Sequence, residues 1–210
     1  MPSMRQGRLI TLEGGEGAGK SSHVGLVVKW LEARGREVVR TREPGGSPLA
    51  EAIRQIVLAD WSEGIDAHTE LLLMFAARSA HLANTIRPAL AAGHDVVCDR
   101  FIDASWAYQG AGRGIEDQHL QALQTLVLGD LQPVLTLVFD VEPAIGLQRA
   151  RSRGETNRFE SERSVFMERV RQAYLQRANQ SPDRCEIINA SKGLEDVQLQ
   201  VLHALEERLA

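Results

Sequence analysis

The chain contains no long apolar run. Its longest, Leu71 to Ala77, is far short of the about 20 residues a membrane-spanning helix needs. Nothing between Met1 and Arg5 resembles the apolar centre of a secretory signal, so a cytoplasmic location is the expectation. Cysteine is scarce too. Cys98 and Cys185 both fall in apolar, strand-like segments, which predicts buried thiols in a reducing compartment and no disulfide. A positive surplus is also missing: the net charge of −4 argues against a nucleic-acid polymer as partner, because backbone binding needs a concentrated basic surface. Lysine is almost absent. Lys20, Lys29 and Lys192 are the only three among 24 Lys and Arg, leaving 21 arginines. The planar guanidinium fork suits a bidentate grip on phosphate. The six histidines are scattered and form no metal-ligand spacing. No internal repeat or low-complexity tract occurs.

What is present fits one globular domain over residues 1–210, large enough to bury a full core. The clearest feature is Gly14-Gly15-Glu16-Gly17-Ala18-Gly19-Lys20-Ser21, which matches the phosphate-loop pattern G-x-x-x-x-G-K-[ST]. By average residue frequencies, such a match arises by chance in roughly one chain in a hundred of this length. An apolar run precedes it and a helix-like segment follows, as the motif requires. Several backbone N–H groups and a helix N-terminus then converge on one place, a site for polyphosphate. Lys20 can reach the β- and γ-phosphates, and the Ser21 hydroxyl can ligate Mg²⁺. Gly14 to Ser21, with Ser22 after them, are the expected triphosphate-binding residues.

Apolar runs alternate with helix-period segments along the whole chain, predicting an α/β fold with a mainly parallel sheet. Strands are expected at Arg8–Glu13, Glu37–Thr41, His94–Cys98, Val134–Asp140 and Cys185–Asn189. Helices are expected at about Gly19–Arg34, Leu49–Leu58, Asp66–Ala92 with a kink or break at Pro88, Ala104–Tyr108 and Asp117–Leu128. Gly110-Ala111-Gly112-Arg113-Gly114 reads as the link between the last two. Further helices start at Pro143, cover about Ser161–Asn179 and close the chain at Leu194–Leu209. In such sheets ligands bind beyond the carboxyl ends of the strands. Those ends carry the phosphate loop, Arg42, Asp99-Arg100 and Asp140.

Two classes of phosphate-loop protein compete. A GTP-dependent switch needs Asn-Lys-x-Asp and Asp-x-x-Gly, and the sequence contains neither. A small-molecule kinase needs a second anion site beside the first and a lid that excludes water. Arg42, Arg54 and Arg100 can supply that anion site. The arginine-dense segment from Arg149 to Arg158 can supply the lid.

Five further pieces make the match specific: Glu13 ahead of the phosphate loop, Thr41-Arg42-Glu43-Pro44-Gly45-Gly46, Phe75-Ala76-Ala77-Arg78, Asp99-Arg100-Phe101 and Ala107-Tyr108-Gln109-Gly110. With them the chain closely resembles the bacterial thymidylate kinases over nearly its whole length. The resemblance implies a three-layer α/β/α phosphate-loop fold with a five-stranded parallel sheet, a short helical lid at about 149–160, and a homodimer. It implies phosphoryl transfer from ATP with Mg²⁺ to dTMP, giving dTDP. A kinase for another nucleotide or deoxynucleoside, and a non-catalytic nucleotide-dependent switch, are the alternatives.

The same resemblance distributes roles. Glu16, a costly carboxylate among phosphate-binding amides, accepts from the 3′-hydroxyl of the acceptor. Arg42, Arg54 and Arg100 hold the acceptor phosphate, Arg78 meets thymine O4, Gln109 meets N3, and Ser105 and Tyr108 lie beside them. Asp99 either holds Mg²⁺, orients the acceptor phosphate or fixes Arg100. Many family members carry a stacking Phe four residues before the base-binding Arg; here that residue is Met74 and the aromatic is Phe75, so either can face the base. Some members carry an Arg in the loop at the position of Gly17. Without it, charge on the transferring phosphoryl is met from the lid, by Arg153, with Arg149, Arg151 and Arg158 nearby.

Overall fold

The computed structural model describes residues 6–152 and 164–210. Strand β1 (Leu9–Gly14) reads Leu-Ile-Thr-Leu-Glu-Gly, and every residue of it is buried, as a strand covered by helices on both faces requires. With β2 (Val38–Arg42), β3 (Asp95–Asp99), β4 (Leu135–Asp140) and β5 (Cys185–Asn189) it forms a five-stranded sheet ordered β2-β3-β1-β4-β5. All neighbouring pairs are parallel. The helices are α1 (Lys20–Glu32), α2 (Pro48–Leu58), α3 (Ala67–His81), α4 (Arg87–Ala91), α5 (Ile102–Ser105), α6 (Asp117–Leu128), α7 (Pro143–Ser152), α8 (Ser164–Gln180) and α9 (Leu194–Leu209).

The alternation of side chains along the strands divides the core. Ile10, Leu12, Val97 and Leu137 pack with Val24 and Leu31 of α1 and Val201 and Leu205 of α9. Leu9, Val96 and Cys98 pack on the other face with Leu71 and Phe75 of α3 and Leu120 of α6. A third cluster joins Val57 of α2 and Met74 of α3 to Phe166, Val170 and Tyr174 of α8. Truncating a completely buried side chain such as Leu12 to Ala costs about 2–5 kcal/mol. Local signals set the helix starts. Pro48 occupies the first turn of α2 behind the Ser47 cap, and Asp66 Oδ1 accepts from the His68 and Thr69 amides at 2.9 and 3.1 Å.

Two segments differ from expectation. The span Asp66–Ala92 is α3, a π-helical turn at Leu82–Ile86, and α4. Pro88 has no N–H and its ring crowds the carbonyl four residues back, so the helix widens just before it instead of breaking. Gly110-Ala111-Gly112 is not a link: after α5 the chain continues as a π-helical run, Trp106–Gly112. These glycines serve close packing, since a Cβ on Gly112 would come within 2.7 Å of the Phe166 ring, and one on Gly110 within 3.0 Å of Leu120.

Cys98 and Cys185 are buried free thiols. Among the described residues, no helix is long and apolar enough to cross a membrane. Of the expected lid at about 149–160, Arg153 and Arg158 lie outside the described residues.

Candidate active site

The carboxyl ends of β1, β2 and β3 open onto one cavity of about 960 Å³. Gly19, Lys20 and Ser21 line it together with Arg42, Arg54 and Arg100 and with Met74, Tyr108 and Gln109. Asp140, at the same edge of the sheet, is not part of it: its carboxylate is paired with Arg171 over 2.6 Å.

Gly19, with φ +88, caps α1, and the N-terminus of that helix, at Gly19, Lys20 and Ser21, lines the cavity. Lys20 Nζ donates to the Gly14 and Gly15 carbonyls at 2.9 and 2.8 Å. Burial first, and the nearby Arg100 charge second, push its pKa down to about 8. Ser21 Oγ donates to Asp99 Oδ2 over 2.9 Å, linking α1 to the end of β3. The other Asp99 oxygen is buried without a hydrogen-bond partner. A hydroxyl and a carboxylate with a spare buried oxygen, beside a phosphate site, fit the oxygen-preferring Mg²⁺. Among the described residues no group of three or more His, Cys, Asp or Glu could hold a metal by itself. Mg²⁺ suits such a sparse protein contribution because substrate phosphates and water complete its shell.

Other loop residues separate. Glu16 and Gly17 line the cavity. Ala18 is buried in the core beside Val24, Gly15 lines a smaller hollow with Asp140, and Ser22 is exposed on α1. The Gly14 carbonyl is occupied by Lys20 and, over 2.5 Å, by Arg100 Nη1.

Arg100 is the one non-glycine among the described residues with positive φ, at +67. Backbone strain of this kind costs about 1–3 kcal/mol and persists only where the surroundings enforce it. Here the Arg100 amide donates to the Leu12 carbonyl at 2.9 Å. The next amide, Phe101, donates to Glu13 Oε1 at 2.7 Å. Arg100 Nη2 donates to Glu16 Oε1 over 2.7 Å. For Glu16, burial raises the pKa, but the charges of Arg100 and Lys20 outweigh it and the net shift is downward. Arg54 donates to the Pro44 carbonyl at 2.7 Å. Burial, then Arg42, hold its pKa below the usual guanidinium value; an anion placed between such cations relieves them. Arg42 reaches Glu51 at 3.1 Å on the exposed rim.

Of the two α3 candidates Met74, not Phe75, lines the cavity. Phe75 is turned into the core with its ring 4.9 Å from the Arg78 guanidinium. Arg78 and Ser105 stand behind the wall. Arg78 is only 1% exposed and donates to Glu43 at 2.6 Å, Ser105 Oγ at 3.0 Å and the Phe101 carbonyl at 2.8 Å. Gln109 and Tyr108 are on the cavity side.

Four supporting residues had no role in the sequence reading. Glu43 binds Arg78 and His81. Glu70 binds Gln109 and Arg113. Tyr174 donates to Glu13 Oε2 at 3.0 Å. Burial, then Asp103, push Glu13 up to about 7. In the sequence Glu13 and Glu43 stand only as pieces of the family match, Glu13 with the further signal of a carboxylate closing the run Leu9-Ile10-Thr11-Leu12.

Comparison with known proteins identifies the family. The family model described as thymidylate kinase matches residues 12–201. A thymidylate kinase of Chromohalobacter salexigens is 54% identical over 209 residues, 99% of each chain. One of Pseudomonas syringae pv. tomato is 53% identical over 203 residues, 97% of each chain. The crystal structure of thymidylate kinase from Ehrlichia chaffeensis superposes with a TM-score of 0.77 at 33% identity, covering 95% of this chain and 99% of that one. On the family model and this near-full-length identity, the chain belongs to the thymidylate kinase family.

Proposed function

We infer that this chain transfers the γ-phosphoryl group of ATP to the 5′-phosphate of dTMP, giving ADP and dTDP. The observation that carries this reading is one cavity joining the phosphate loop to Arg42, Arg54 and Arg100. A triphosphate tail and a monophosphate fit side by side in it.

An oxygen of the dTMP phosphate, already ionised at neutral pH, attacks the γ-phosphorus. The bond from that phosphorus to the bridging oxygen breaks, and its electron pair leaves with ADP. No strong general base is needed, so the residues position groups and stabilise charge. Lys20 exchanges its two carbonyl partners for the β- and γ-phosphates. Arg100, Arg42 and Arg54 grip the acceptor phosphate, and Glu16 takes its 3′-hydroxyl. Met74 packs its thioether on the thymine and Gln109 meets N3, while Arg78, buried behind the wall on Glu43 and Ser105, reaches O4 by turning a guanidinium N–H toward the cavity. Ser21 and Asp99 would hold Mg²⁺, which would supply neutralisation of charge on the donor phosphates.

The chain acts as a single kinase domain over 1–210, with 149–160 as its closing segment and Arg153 stabilising charge in transfer. Gly17 supports that assignment, because a loop arginine has no room there: a Cβ would meet the Gly146 carbonyl. A homodimer through α3 and α6 accords with the exposed Leu72 and Leu126, and sedimentation of the purified protein tests it. A cytoplasmic location accords with the two free thiols. Crystals grown with dTMP test the main reading. Its phosphate should lie among Arg42, Arg54 and Arg100 with the base at Met74 and Gln109; a ligand bound elsewhere overturns it.

A further inference from the structure

Gln109 reaches the cavity wall with its side-chain amide buried. Nε2 donates to Glu70 Oε1 over 2.8 Å, and Oε1 is buried without a hydrogen-bond partner. Glu70 is completely buried in the first turn of α3. Its other oxygen takes the Arg113 guanidinium at 3.2 Å. A carboxylate paired with a guanidinium accepts hydrogen bonds and donates none. The amide of Gln109 is therefore oriented by chemistry: NH₂ toward Glu70, leaving the buried, unpartnered carbonyl oxygen as the atom open to a donor. Turning it over would set two oxygens against each other in a dry place and strand the NH₂ group.

We propose that Glu70 is a positioning residue for base selection, locking Gln109 as a hydrogen-bond acceptor so that the site takes a pyrimidine bearing an N3–H and refuses one whose N3 is a bare acceptor. Thymine and uracil offer that N3–H; cytosine does not. The proposal rests on the reading above, that Gln109 meets the base. A site built to pair one polar group rejects the analogue that leaves it unpaired far more strongly than an apolar pocket does. Without Glu70 the same amide would turn to suit either ring.

The test is Glu70→Gln. With its carbonyl oxygen still accepting from Arg113, its NH₂ faces Gln109 and draws that residue's carbonyl oxygen toward it, turning the Gln109 amide over. The measured quantity is the ratio of kcat/KM for dTMP to that for dCMP, with dUMP as a second N3–H acceptor. Glu70→Gln should lower that ratio about tenfold or more, with dUMP following dTMP. A residue that only supports the fold would reduce both acceptors in proportion, so an unchanged ratio overturns the proposal. If Arg113, deprived of its counter-charge, keeps that variant from folding, Glu70→Gln/Arg113→Gln removes both charges and carries the same expectation. Gln109→Met separates the two layers. A ratio that falls in Gln109→Met but holds in Glu70→Gln refutes the role of Glu70 alone. A ratio unchanged in Gln109→Met as well refutes the contact between Gln109 and the base.

Discussion

Gly17 of the phosphate loop and Gly146 of α7 touch backbone to backbone. A Cβ on Gly17 would overlap the Gly146 carbonyl oxygen, and one on Gly146 would overlap the Glu16 carbonyl. Helix α7 is thus seated directly on the phosphate loop. Gly146→Ala should destabilise the protein by about 1–3 kcal/mol in urea unfolding, although Ala is ordinarily the better helix former by about 1 kcal/mol. Gly17→Ala adds the strain of positive φ to the same clash and should cost more. Stabilisation by Gly146→Ala would mean that α7 does not bear on the loop.

Lys20 gives a pH signature. Its pKa is pushed down to about 8, and a bound triphosphate favours the charged ammonium and raises that pKa. ATP binding at pH 8 should therefore take up about half a proton, and affinity should fall as pH rises through 8. Calorimetry in buffers of different ionisation enthalpy measures the uptake. Lys20→Met should abolish it. A buffer-independent heat in the wild type would contradict this account of the lysine.

The contact between Ser21 and Asp99, 2.9 Å, predicts a metal phenotype. Asp99→Asn should raise the Mg²⁺ concentration needed for half-maximal turnover by about 10–100-fold. Activity titrated with Mg²⁺ at saturating ATP reads this directly. An unaltered midpoint with reduced kcat would assign Asp99 to positioning Arg100 instead.

Arg153→Ala should reduce kcat far more than it weakens dTMP binding, because an arginine that acts only on charge in transfer contributes about 10³–10⁵ in related phosphoryl transfers. Paired kcat and dTMP titration measurements on the variant decide it. Wild-type kcat would remove Arg153 from the mechanism.

Much of the site was legible because it is local. The phosphate loop needs glycines, Lys20 and Ser21 within eight consecutive residues, and strand ends place Arg42, Asp99 and Arg100 at one edge whatever the helices do. The orientation of α3 was not legible. Leu71 to Ala77 is apolar throughout, so no polar face marks which of Met74 and Phe75 looks at the cavity; packing against α2 and α8 decides it. Glu70 and Glu43 were illegible for another reason. Each is a carboxylate whose burial follows from partners distant in sequence, Gln109 for one and Arg78 for the other. Gly110 and Gly112 misled because glycine serves both turns and tight helix packing, and only the positions of Leu120 and Phe166 distinguish the two uses.

The most direct test is ADP release measured alongside product, with ATP as donor and dTMP, dUMP, thymidine, GMP or no acceptor. Two adjacent anion sites predict ADP and dTDP formed one to one with dTMP, with thymidine, which lacks a phosphate for Arg100 to grip, inactive and almost no ADP without an acceptor. ADP released at the same rate whatever the acceptor would contradict the account.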